Sequence, residues 1–122
     1  MGVALLLLSS CKKEGCTDSD AVNFEEEAKK DDGSCEYEGN VLLWTDCDWC
    51  CELEVRIDGE YQGNTTLWYT SEPFAPNCKA SGCISATLPV GTYEWSATEV
   101  CVGAVAVGFF TIDANGCTKV VM

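Results

Sequence analysis

The clearest pattern along the chain is strict alternation of apolar and polar positions. Cys51-Glu-Leu-Glu-Val-Arg-Ile-Asp58 places Leu53, Val55 and Ile57 on one face and charges on the other, which is the signature of a half-buried strand. Ile84, Ala86 and Leu88 alternate with Ser85 and Thr87, and Tyr93, Trp95 and Ala97 alternate with Glu94, Ser96 and Thr98. Val41 to Thr45, Thr65 to Thr70, Val105 to Asp113 and Thr118 to Met122 bring the expectation to about seven short strands. Turn residues stand between them at Asp58-Gly59, Gly63-Asn64, Pro89-Val-Gly91 and Ala114-Asn-Gly116. No stretch keeps a helical period. The expectation for residues 41–122 is therefore an all-β fold, a small antiparallel β-sandwich of two sheets. Within it the apolar run Val100 to Phe110 reads as a centrally buried strand after a bend at Gly103-Ala104, and it is too short to span a membrane.

Upstream the pattern differs. Residues 15–38 are poor in apolar side chains and cannot build a core alone. A disulfide between Cys16 and Cys35 closes this stretch, with Asp-Asp-Gly-Ser as its turn, and Glu38-Gly-Asn40 reads as a polar joint to the sandwich. Asp18, Asp20, Asn23, Asp31 and Asp32 offer hard oxygen ligands at short spacing, so calcium is the candidate ion. The plainer reading of the same residues is a solvated acidic loop whose Asp and Asn side chains cap turns. The segment resembles the GCxDxxAxNxxxxAxxDDGSCEY unit of exported proteins from Bacteroidota-type bacteria, with Phe24 where that unit usually has Tyr.

Composition sharpens the class. The 122 residues include ten cysteines and no histidine, and the formal net charge is −13. Such acidity repels phosphate backbones, so nucleic acid is not an expected partner. Only one C-x2-C spacing occurs, Cys47-Asp-Trp-Cys50, which leaves a four-cysteine zinc site without its second knuckle. Disulfides in an oxidising compartment are the expectation. The acidic, strand-like flanks of Cys47 and Cys50 also argue against a low-pKa redox thiol.

The chain opens on Met1-Gly-Val-Ala-Leu-Leu-Leu-Leu-Ser-Ser-Cys11, an apolar run ending in small residues before a cysteine. It fits the core and cleavage region of an export signal. Leu8-Ser-Ser-Cys11 resembles a bacterial lipobox, although no Lys or Arg precedes the apolar run. The resemblance implies removal of residues 1–10, acylation of Cys11 and a short tether over 11–14. It places the protein in the bacterial cell envelope, held by lipid at the outer membrane or cell surface. An ordinary signal peptide or a buried first strand is the alternative.

Within the sandwich, Val55-Arg-Ile-Asp-Gly-Glu-Tyr-Gln-Gly63 and Leu88-Pro-Val-Gly-Thr-Tyr-Glu-Trp95 resemble signatures of prealbumin-like modules of the PEGA and carboxypeptidase-regulatory types. That resemblance implies an accessory module that spaces or binds and does not catalyse. Strand parity turns Cys51 inward and suggests Cys117, at the start of the last strand, as its partner. Cys78 and Cys83 suggest a hairpin clasp, and Cys47 or Cys50 would join Cys101, leaving one cysteine unpaired. Without histidine no Ser-His-Asp or Cys-His arrangement exists, and so small a domain has little room for a cleft between paired carboxylates. The readings left are a surface structural or protein-interaction module and a calcium-assisted glycan-binding module. For the second, Trp49 and Trp68 are the candidate stacking rings. The plain alternative buries Trp44 and Trp68 in the core and packs Trp49 on a disulfide.

Overall fold

A computed structural model describes residues 13–122, and the acylation candidate Cys11 lies outside them. The chain divides into two compact units between Tyr37 and Glu38. No helix occurs among the described residues.

In the first unit a short parallel pair joins β1 (Glu14–Gly15) to β2 (Lys30–Asp31), and a disulfide joins Cys16 to Cys35. The acidic side chains serve the backbone. Asp18 accepts from the Asp20 N–H at 2.9 Å, Asp31 from Gly33 at 2.9 Å and Asp32 from Ser34 at 3.0 Å. Asn23 holds both Ser34 O and the Glu36 N–H, at 2.6 and 2.8 Å. These local bonds give a chain with almost no core its shape.

Asp18 also accepts from the Tyr37 hydroxyl at 2.5 Å. That bond, then the Asp20 N–H, lowers the Asp18 pKa, and the same bond, then burial, raises that of Tyr37. The lowered aspartate supports the folded segment above its ordinary range, near 4, and loses that support as pH falls through its own lower value. The raised tyrosine gives support that is complete below about 10 and is lost as pH climbs through its own higher value. Asp18→Ala is expected to move phenolate formation at Tyr37 to lower pH, read from the Tyr37 ring resonances. An unchanged midpoint would show that the carboxylate does not hold the hydroxyl.

The second unit is the all-β domain, with seven strands in two sheets. One has the order β6 (Ile84–Pro89), β3 (Glu38–Trp44), β9 (Cys117–Val121), and the other β5 (Glu60–Asn64), β4 (Leu53–Ile57), β7 (Gly91–Glu99), β8 (Val105–Ile112). Between them lie Val41 and Leu43 of β3, Leu53, Val55 and Ile57 of β4, Trp95 and Ala97 of β7, and Phe110 and Ile112 of β8. The Asp58-Gly59 hairpin forms as the sequence suggests, both residues at positive φ between the paired Ile57 and Glu60.

Several expectations are corrected. The sandwich is not wholly antiparallel: β9 runs parallel to β3. The Ala114-Asn-Gly116 turn carries the chain from the edge of one sheet to the edge of the other, so β9 arrives beside β3 in the same direction. Glu38 to Asn40 is no joint but the start of β3, paired with Pro89 to Thr87. Gly39 is buried there, and a β-carbon on it would collide with the Asp113 carbonyl. Thr65 to Thr70 forms no strand; the seventh strand is β5. Residues 65–83 run instead over the outer face of the β3 sheet, where Ala75 and Cys78 pack on Leu42. That cover explains why Val41 to Trp44 is continuously apolar, since β3 is buried on both faces.

The disulfides also differ. Cys51 bonds Cys101, not Cys117; Cys78 bonds Cys117, not Cys83; and Cys47 closes on Cys50. The β4–β7 register pairs Leu53 with Glu99, and extending it by two residues sets Cys51 opposite Cys101. Cys83 stays unpaired and half-buried among the described residues, and burial raises its thiol pKa.

Candidate functional site

The inward-facing row of β7 reads Tyr93, Trp95, Ala97 and then Glu99. Alternation thus puts a carboxylate where the packing calls for a hydrophobe. Glu99 is only 8% exposed, and its Oε2 accepts from the Cys51 N–H at 3.2 Å. The backbone around it is tightly tied: the Glu99 N–H donates to Ala104 O at 2.8 Å, and the Gly103 N–H to Glu99 O at 2.7 Å. Gly103 makes that turn possible at φ 76°. The Cys51–Cys101 bridge clamps the same corner.

Glu99 belongs to the wall of a hollow of about 380 Å³ at one end of the sandwich. Trp49, Leu53, Val102, Val105 and Met122 supply its large apolar side chains, and among the described residues Glu99 is the one charged side chain lining it. Trp49 and Val102 stand 80% and 72% exposed at its mouth. Burying a carboxylate in apolar surroundings with one hydrogen bond is costly, and a cation that hydrogen-bonds it in good geometry offsets part of that cost.

From the hollow an apolar stripe continues along β8. Val105, Val107 and Phe109 point away from the core, Phe109 at 69% exposure. The sequence reading of Val100 to Phe110 as a centrally buried strand is therefore corrected. Residues 100–102 form a turn and 103–104 an irregular link, and β8 is an edge strand paired only with β7 among the described residues. Its outer edge pairs with no strand among the described residues; β9 touches it only at its C-terminal end. Thr118 Oγ1 takes the Thr111 carbonyl at 2.9 Å, so that carbonyl points away from β7. The two-residue period of a strand then turns the N–H and C=O groups of Val105, Val107 and Phe109 to the open edge. Natural edges are commonly guarded by lysine, proline or a bulge, and β8 has none of these.

The surroundings are acidic. Glu94 lies directly across from Phe109 on β7, and Asp48 adjoins Trp49. Arg56, on the outward face of β4, is already engaged by Glu54 at 3.3 Å and lies 5.7 Å over the Tyr61 ring.

The glycan candidates do not fall together in one hollow. Trp49 lines the one just described, whereas Trp68 lines a smaller one of about 110 Å³, with Thr45, Cys47 and Cys50 common to both. Trp44 is buried, but Trp68 is 46% exposed and so is not a core ring. In the first unit Asp18, Asp20, Asn23, Asp31 and Asp32 cap turns as described. Among the described residues no three His, Cys, Asp or Glu side chains are grouped to hold a metal. A wider depression of about 700 Å³ runs along residues 69–74 and 79–81; among the described residues Glu72 and Lys79 are the charged side chains lining it.

The signal that sequence reasoning missed was Glu99. Carrying the Tyr93–Trp95–Ala97 alternation one step further places it inward. Comparison with protein-family models, with curated proteins and with solved structures returns no match.

Proposed function

We propose that this chain is a non-enzymatic lipoprotein of the bacterial cell envelope, anchored through Cys11, whose sandwich is a protein-interaction module. The observation that carries the reading is the β8 edge, unpaired on its outer side among the described residues, with its apolar stripe on an otherwise acidic domain. Exposed apolar surface bordering unpaired backbone groups suits the addition of a strand from another protein. The lipobox-like Leu8-Ser-Ser-Cys11 supports the anchor, and the disulfides suit an oxidising compartment.

One experiment with two arms tests this. A photo-crosslinking amino acid at position 109, expressed in the native envelope, is expected to give a defined protein adduct that the same group at position 92 does not. Cys11→Ser is expected to release the protein from the membrane fraction. Equal adducts at both positions would remove the docking role, and a Cys11→Ser protein that stays membrane-bound would remove the anchor.

A second reading rests on Trp49, whose ring is exposed enough to stack on a sugar. In that case a glycan array probed with residues 38–122 shows binding that Trp49→Ala abolishes. The calcium assistance attached to that reading depends on oxygens of Asp18, Asp31 and Asp32 that already accept backbone hydrogen bonds.

A further inference from the structure

We propose that the hollow beside Glu99 takes a lysine or arginine side chain from an extended partner strand that pairs with β8. The proposal rests on the protein-interaction reading and names the chemistry of the partner.

Three features converge on it. The first is the carboxylate. Among the described residues Glu99 is the sole charged side chain of a largely apolar wall, and its side chain accepts one hydrogen bond, from the Cys51 N–H, which leaves acceptor capacity. Lysine and arginine carry an apolar stem with a cationic head, so one side chain fits both the wall and the acid. Trp49 at the mouth offers a ring face to the same cation.

The second feature is register. Val105 and Ala106 open β8 and also line the hollow. A strand added to the β8 edge presents alternate side chains to the two faces of the sheet. One set lies with Val105, Val107 and Phe109. The other lies on the side of Ala106 and reaches the hollow. The partner is thus apolar on one set of alternate positions and basic at one position of the other.

The third feature is charge. The stripe itself is uncharged, Glu94 lies across from Phe109, Asp48 adjoins Trp49 in the chain, and Arg56 is paired with Glu54. With a net charge of −13 on the chain, a basic partner is attracted and a second copy is repelled.

The test titrates residues 13–122 with the capped peptide Val-Lys-Val-Thr-Val-Thr, followed by amide resonances. Shifts are expected at Glu99, Val105, Val107 and Phe109. Replacing the peptide's lysine by norleucine should weaken binding roughly tenfold to a hundredfold, the range for a hydrogen bond to a charged group. Glu99→Gln should erase the difference between the two peptides. Should that variant fold poorly, Trp49→Ala alters only an exposed ring and should weaken the lysine peptide severalfold. Methylating the peptide nitrogens that face β8 should abolish binding without any change to the protein.

Equal binding of the lysine and norleucine peptides overturns the cation site but leaves strand docking in place. Full affinity with the methylated peptide, or with n-butylammonium alone, overturns the paired strand. Shifts along β8 that grow with protein concentration before any peptide is added put a second copy there and overturn the proposal. A peptide series without any shift also overturns it, and the position-109 adduct then decides separately whether the edge docks a protein at all.

Discussion

Removing the Cys51–Cys101 bridge, with both residues changed to serine, is expected to cost the domain about 4 kcal/mol. The bridge spans 50 residues, and the entropy that it takes from the unfolded chain grows with the logarithm of the loop it closes. The same relation gives only about 2 kcal/mol for Cys47–Cys50, which spans three. In a domain of this size each kcal/mol lowers the melting temperature by about 4–8 °C. The long-range double variant should therefore melt tens of degrees lower and the local one about half as far. The two bridges meet at adjacent residues, Cys50 and Cys51, so the comparison keeps the site constant while the loop length changes. Equal losses in the two variants would show that the bridges act through local native geometry rather than through the unfolded chain. The Cys51–Cys101 variant should also loosen the corner that holds Glu99, because Cys51 supplies that carboxylate's N–H partner.

What the sequence made legible follows the reach of the interaction concerned. Alternation is local, so β4, β6 and β7 appear where the pattern puts them, and Asp58-Gly59 turns where its chemistry demands. Pairing between distant strands is not local. The Cys51–Cys101 bridge becomes obvious only once Leu53 is known to face Glu99. Proximity in sequence suggests Cys83 for Cys78, but residues 65–83 cross the sheet and bring Cys78 to Cys117 on the edge strand β9. The apolar run ending at Phe110 misled for a related reason. Apolar character ordinarily marks burial, and β8 instead carries Val105, Val107 and Phe109 on an open edge. An exposed apolar edge is where folding logic and sequence pattern part company, and it is also where a partner would be recognised. Glu99 is the converse, a charged residue in a core register, visible to parity alone once β7 is extended by two residues.

The largest effect within the core is expected at the contact of Trp95 with Gly108. These residues are directly paired across β7 and β8, and the indole lies against the glycine backbone. A β-carbon on Gly108 would lie 2.6 Å from Trp95 Nε1 and 2.7 Å from two ring carbons. The ring belongs to the buried row of a central strand and has no flexible tail to move aside. Gly108→Ala should thus cost about 1–3 kcal/mol through overpacking. Trp95→Leu alone should also destabilise strongly, towards the roughly 3–5 kcal/mol range of large-to-small aromatic replacements. In the Trp95→Leu background the added methyl of Gly108→Ala enters space that the indole vacated, so the second change should cost little or even stabilise. A double-mutant cycle by urea unfolding should show favourable coupling of about 0.5–3 kcal/mol. Additive losses would mean that the methyl is accommodated by movement of β8 and not by the space under the indole. Because β8 is also the proposed docking edge, the same variants report whether its position is set by this one aromatic contact. In that case Gly108→Ala alone should shift the amide resonances of Val107 and Phe109 in the free protein.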